Sequence, residues 1–207
     1  MYLPPHFRES RLEVLHDFIR RHPLGMLVSS VDGVPTVDHV PMLLAPDSGP
    51  HGTLQGHVAR ANPLRRSVED GAGVLVVFHG TDAYVSPSSY PSKQTDGKVV
   101  PTWNYSVVHA RGRIRFFDDE ARLHALVSSL TDRFEHGRLQ PWAVSDAPGD
   151  YVRAMLRAIV GFDIEIIELI GKFKASQNRS AEDRAGVRRA LAVENTGSLD
   201  ELVRDPD

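Results

Sequence analysis

Met26-Leu27-Val28-Ser29-Ser30-Val31-Asp32-Gly33-Val34-Pro35-Thr36-Val37-Asp38-His39-Val40-Pro41 is the stretch on which the fold turns. Aliphatic and β-branched residues flank Asp32-Gly33 on both sides. A two-residue hairpin turn of type I′ needs φ > 0 at its centre, and glycine supplies it without steric cost. The two arms, Met26–Val31 and, running past the quoted stretch, Val34–Leu44, are therefore predicted to be neighbouring antiparallel strands. Pro35 and Pro41 have no N–H to give a ladder, so the second arm is expected at a sheet edge or with a bulge.

Working outward, Leu12, Leu15, Phe18 and Ile19 lie on one face of a helix predicted over 10–22. Ser10 and Glu13 have the form of a capping box, and Pro23 is the stop. Downstream, strands are predicted at Gly52–Val58, Val74–His79, Tyr84–Ser86 and Tyr105–Phe117, with one short helix opening at Asn62-Pro63. Residues 86–102, with Pro87, Pro91, Pro101 and the turn pair Asp96-Gly97, read as a long loop. Leu123 to Phe134 and Tyr151 to Ile159 have helical spacing. Phe162, Ile164 and Ile166 alternate with Asp163 and Glu165 in a last strand running towards Ile170. A polar helix over 180–192 follows, and the tail from Glu194 is expected to fray. This order is not the βαβα alternation of a doubly wound sheet. It predicts an α+β chain built on a mainly antiparallel barrel with peripheral helices, over residues 1–179, followed by a C-terminal helix and tail, 180–207.

The composition narrows the function. Apolar residues make up 41% and charged residues 25% of the 207, ordinary for a globular chain, and the net charge is −3. That excludes a strongly basic body wrapping nucleic acid by charge alone. The absence of cysteine removes disulfide scaffolds, thiolate zinc sites and cysteine nucleophiles. No apolar run approaches the roughly 20 residues of a membrane helix, and the N-terminus lacks the pattern of a signal peptide; a cytoplasmic protein is the expectation. The ten histidines show no His-Glu-x-x-His spacing, so no metal site is predicted. There is no Walker A motif, no G-x-G-x-x-G and no nucleophile elbow at Ser29-Ser30 or Ser88-Ser89.

Three stretches carry polar chemistry at the ends of predicted strands. In Gln55-Gly56-His57-Val58-Ala59-Arg60-Ala61-Asn62-Pro63 a strand gives way to a helix start, where unpaired N–H groups and Arg60 favour an anion; the alternative is a capped surface helix with solvated arginines. Thr102-Trp103-Asn104-Tyr105 offers a flat ring beside a hydroxyl and an amide. It suits the edge of a planar ligand, or else makes Trp103 a core plug. Lys172 to Arg179 clusters cations and amides, either to clamp phosphate or nucleic-acid backbone or simply as a solvated connection. The stripe Arg111, Arg113 and Arg115 is expected to pair with acids such as Asp163 and Glu165 on a neighbouring strand.

Taken together and in order, Met1-Tyr2-Leu3-Pro4-Pro5-His6-Phe7, Gly56 to Pro63, Val100 to Tyr105 and Lys172 to Arg179 resemble the PaiB-type proteins. These are FMN-binding negative transcriptional regulators among the pyridoxamine-phosphate-oxidase-like split barrels, and the similarity runs over residues 1–192. The resemblance implies an antiparallel split β-barrel homodimer with FMN at the subunit interface. It implies a bacterial, cytoplasmic repressor of genes for degradative enzymes and sporulation. It also implies cofactor contacts from Gln55, His57, Ala59, Arg60 and Asn62 of one subunit, and from Thr102, Trp103, Asn104, Lys172, Lys174, Gln177 and Asn178 of the other. Ala61 departs from the pattern, standing where many flavin-binding split barrels carry a lysine or other polar residue. The same barrel also hosts FMN-dependent oxidoreductases and haem-binding or haem-degrading proteins, which are the alternatives. No helix-turn-helix is recognisable, so repression acts either on DNA directly or through a bound or modified metabolite.

Overall fold

The computed structural model describes residues 1–95, 97–194 and 199–206; Asp96 of the expected Asp96-Gly97 turn lies outside them. In chain order the elements are β1 (Arg8–Glu9), α1 (Leu12–Arg21), β2 (Leu24–Val31), β3 (Val34–Pro41), β4 (Leu43–Ala45), β5 (Thr53–Ala59), α2 (Leu64–Ser67) and β6 (Gly73–Val85). They continue with β7 (Thr102–Phe117), α3 (Glu120–Glu135), α4 (Gly149–Arg157), β8 (Ile159–Lys174), α5 (Ala181–Glu194) and α6 (Leu199–Leu202).

The hairpin forms as its sequence requires. Val31 pairs with Val34, and both turn residues are left-handed, Asp32 at φ 51° and Gly33 at φ 79°. The strands follow the order β3-β2-β6-β7-β8-β5-β4, with β1 paired to β8, so the proline-bearing β3 is an edge. Three expectations change. The strand predicted over Val34–Leu44 ends at Pro41, and Leu43–Ala45 is a separate strand, β4, paired with β5. The strands predicted at Val74–His79 and Tyr84–Ser86 are a single strand, β6. The last strand runs on to Lys174, so 171–174 is sheet and not connection.

The chain divides into two compact units. The larger comprises Ile19–Val77 and Ala110–Leu169. It holds β2 through β5 and the helices α2, α3 and α4, with Leu27, Leu54, Val76, Ile114, Phe162 and Ile164 fully buried. β5 lies antiparallel to β8 from Thr53↔Glu165 to Ala59↔Ile159. At Gly112 of β7 no side chain fits, because a Cβ there would stand 2.3 Å from the carbonyl oxygen of Glu165.

The other unit comprises Met1–Phe18, Phe78–His109 and Ile170–Asp207. Ahead of α1 the Glu9 carboxylate accepts the N–H groups of Ser10 and Arg11 and the guanidinium of Arg11. Burial pushes its pKa up, but these donors outweigh burial and hold the carboxyl below its ordinary value. Phe18 packs on Phe173 with ring centroids 5.3 Å apart. Ala83, Val85 and Tyr90 cluster with Val187, Leu191, Leu202 and Val203.

That cluster corrects the expectation of a frayed tail. Leu202 and Val203 are buried, the Leu202 carbonyl accepts from Asn104 Nδ2 at 2.8 Å, and Arg204 N donates to Ala175 O at 3.0 Å. Leu202→Ala is therefore expected to cost about 2–5 kcal/mol, the range for a buried leucine truncated to alanine. A urea-unfolding midpoint equal to that of the wild type would return this segment to the status of a loose tail.

Candidate functional site

The expected cofactor residues fall into two groups, one in each unit. In the larger unit Gln55, His57 and Ala59 lie on β5, and Arg60 and Asn62 follow it. Gln55 Nε2 donates to Asp163 Oδ1 at 3.1 Å. Asn62 Nδ2 donates to Asp38 Oδ1 at 2.7 Å, while its Oδ1 accepts Leu64 N at 2.8 Å. The helix expected after Asn62 is a single turn of four residues, and Pro63 O accepts the N–H groups of Arg66 and Ser67. Little remains of the unpaired helix start that favoured an anion. Arg60 is also committed: Nε donates to Arg157 O at 2.8 Å, Nη2 to Ile159 O at 3.0 Å, and Nη1 lies 3.6 Å from Asp118 Oδ2. The structure thus makes Arg60 a clasp between β5 and the α4–β8 junction.

The arginine stripe pairs with an acid of the neighbouring strand as expected at Arg111, though not with Asp163 or Glu165. Arg111 meets Glu168 at 3.3 Å, and Arg113 donates to Gly71 O at 3.2 Å. Asp163 takes Arg122, whose guanidinium stacks 3.8 Å from the centre of the Phe117 ring. A helix residue of α3 thereby supplies the partner that was sought on β7.

In the other unit, alternation along β7 sorts the second group. Asn104 and Ser106 are inward, and Trp103 is 54% exposed, meeting Tyr84 edge to face with centroids 5.9 Å apart. The core-plug reading of Trp103 falls on that exposure. Asn104, expected at the edge of a ligand, instead spends its amide hydrogens on Ser176 Oγ and Leu202 O, each at 2.8 Å. Gln177 is equally local: its Oε1 accepts Ala175 N and its Nε2 donates to Phe173 O. That closes a turn in which Ser176 has φ 65°. Asn178 has no side-chain partner among the described residues.

Lys172 and Lys174 remain. Lys174 Nζ donates to Thr102 Oγ1 and to the Trp103 carbonyl, so it joins the end of β8 to the start of β7. Lys172 Nζ lies 5.2 Å from the centre of the Tyr105 ring and 5.8 Å from that of Tyr2. Neither lysine meets a carboxylate among the described residues, and Lys172 is buried. Burial, then the charges of Lys172 and Arg179, hold the Lys174 ammonium below its ordinary pKa. Unneutralised, half-dry cations at the strand end that bears the exposed Trp103 can hold an anion. Arg179 comes from the same Lys172 to Arg179 cluster, whereas no sequence motif marks Tyr84 for this place. The signal for Tyr84 is that an aromatic residue on β6 falls against Trp103.

Comparison with known proteins bears on these residues. A family described as "Putative FMN-binding domain" matches residues 1–168. The protease synthase and sporulation protein PAI 2 of Bacillus subtilis is 30% identical over 208 residues, covering 99% of this chain and 97% of the relative. Protein AN0679 of Emericella nidulans is 35% identical over 233 residues, covering 96% and 92%. A solved structure, the FAD and haem binding protein of Mycobacterium smegmatis, superposes with a TM-score of 0.57 at 19% identity over 80% of this chain and 72% of that one. The chain belongs to the PaiB-type FMN-binding family, and its fold is the antiparallel split-barrel class expected from its sequence.

Replacing Arg60 tests its structural role. Arg60→Ala leaves two backbone carbonyls to water at a half-exposed site, and a stability loss of about 1 kcal/mol is expected. An unchanged denaturation midpoint together with a large loss of FMN affinity would place Arg60 on the flavin instead.

Proposed function

We propose that this chain is an FMN-binding negative regulator that works as a homodimer in the cytoplasm, with Lys172 and Lys174 holding the flavin phosphate and Trp103 lying along the ring system. The observation that carries this reading is the pair of lysines without acidic partners among the described residues, Lys174 being bonded to the carbonyl of the exposed Trp103. A phosphate monoester brings about −1.5 to −2 charge at neutral pH, enough to neutralise both ammonium groups. Thr102 Oγ1 and the Trp103 carbonyl already orient Lys174. Membership of an FMN-binding family supports the ligand, and the name of the Bacillus relative supports a role in controlling protease synthesis and sporulation. Among the described residues no helix is long and apolar enough to cross a membrane. Regulation in this reading follows ligand occupancy, without a recognition helix.

The larger unit supplies the reason for a dimer. Edge strand β3 exposes Val34 and Val37, and a groove of about 710 Å³ beside it is lined by Val28, Pro35, Val74, Arg111, Ile167 and Glu168. An apolar edge of this kind is normally covered, and a second copy placed by a two-fold axis covers both edges at once. Sedimentation at micromolar concentration is expected to give twice the 22.9 kDa of one chain, and Val37→Glu to lower it. A wild-type monomer would defeat the dimer.

For the cofactor, freshly purified protein or protein mixed with FMN is expected to show protein-bound flavin absorption, with Trp103 emission quenched. Lys174→Met should weaken FMN binding by about 1.5–3 kcal/mol, the scale of a hydrogen bond to a charged group. The pH dependence has two opposite signs. Because Lys174 has a folded pKa below its unfolded value, the unfolded chain holds more protons in the interval between the two. The flavin-free protein therefore gains stability as pH rises through that interval. FMN affinity should fall over the same rise, as the ammonium is lost. Binding by Lys174→Met equal to that of the wild type would exclude this phosphate seat.

A further inference from the structure

We propose that the larger unit carries a second ligand pocket, separate from the flavin, that takes a small uncharged molecule: one ring bearing a single acceptor oxygen, held by His57. The pocket is a cavity of about 220 Å³ lined by His57, Val127, Trp142, Tyr151, Met155 and Ile159, among others, with no charged side chain in its wall. An apolar cavity of about 150 Å³ already takes up benzene, so a substituted single ring fits and a three-ring flavin does not. The lack of a cation likewise leaves a phosphate without a partner.

His57 gives the pocket its polar anchor. Its Nδ1 is buried and has no hydrogen-bond partner among the described residues. A buried lone pair left unpaired is better tolerated than a buried N–H left unpaired, so the proton sits on Nε2. Burial alone pushes the imidazole below its ordinary pKa, and the ring is neutral at pH 7. Nε2–H, with no acceptor among the described residues, is then a donor in a mostly apolar wall that also holds the hydroxyl of Thr131. Trp142, Tyr151 and Met155, each about half exposed, form the apolar rim. β5 thus turns His57 to this pocket, and His57 drops out of the flavin contacts implied by resemblance.

The test uses acetophenone and ethylbenzene, rings of similar size with and without an acceptor oxygen. The chain has two tryptophans, so in a Trp103→Phe background the emission reports Trp142 alone. Both probes are expected to change Trp142 emission saturably. His57→Leu should lower the affinity ratio of acetophenone to ethylbenzene about tenfold, the effect of one hydrogen bond. Should His57→Leu fail to fold, the imidazole ¹⁵N resonances of the wild type serve instead: Nε2 should move with acetophenone and stay with ethylbenzene. No saturable change with either probe overturns the pocket. A ratio unchanged by His57→Leu, or an Nε2 resonance indifferent to acetophenone, overturns the anchor. None of these outcomes depends on whether FMN binds.

Discussion

Gly112 sets the face of β7. With a Cβ position only 2.3 Å from the Glu165 carbonyl oxygen, this point of the strand tolerates hydrogen and nothing larger. A strand alternates strictly, so fixing one residue fixes its neighbours: Ala110 and Ile114 go inward, and Arg111, Arg113 and Arg115 go outward. The same alternation, followed towards the start of β7, buries Asn104 and Ser106 and leaves Trp103 exposed. A slip of one residue would bury the indole and drive the amide out, removing both the flat wall and the bond that holds Leu202.

The cations described above meet two fates, and in the proposed reading these separate scaffold from site. Arg60, Arg111, Arg113 and Arg122 spend their donors on carbonyls or carboxylates nearby, and their forked geometry suits that work. Lys172 and Lys174 instead lie against rings, a hydroxyl and a carbonyl, none of which cancels a charge. The second arrangement costs stability in the free protein, since burial and the charges of Lys172 and Arg179 disfavour the charged form of Lys174. Such a cost is recovered when an anion arrives, which is why unpaired cations point to ligands more sharply than paired ones do.

What the sequence made legible follows from the range of the forces involved. The hairpin at Asp32-Gly33, the edge position of β3 and the helix spacing of α3 and α4 rest on neighbouring residues, and local chemistry decides them. β8 was read too short because its alternation breaks at Ile167-Glu168-Leu169-Ile170, where both parities are apolar or exposed, so a periodic reading stops there. The polar stretches were found, but the partners of their residues were not. Arg60 reaches carbonyls 97 and 99 residues away, Asn104 reaches Leu202, and Arg122 takes Asp163 from the stripe. Each of these choices is made by tertiary proximity, which leaves no trace in local spacing. His57 was picked out inside a motif, while the apolar pocket it faces comes from α3, α4 and the turn before α4, and no periodicity joins those to β5.

The amide of Asn104 holding the carbonyl of Leu202 has a consequence for the order in which the protein is made. The unit built from Met1–Phe18, Phe78–His109 and Ile170–Asp207 draws core residues from both ends of the chain and from its middle. Leu202 and Val203 are buried and are synthesised after every segment of the larger unit. The core they belong to cannot close before Val203 has been translated, whereas every segment of the larger unit has been translated once Leu169 is joined. Assembly is therefore staggered: all segments of one core are available to a growing chain first, and the other core, with its lysine pair, is completed later.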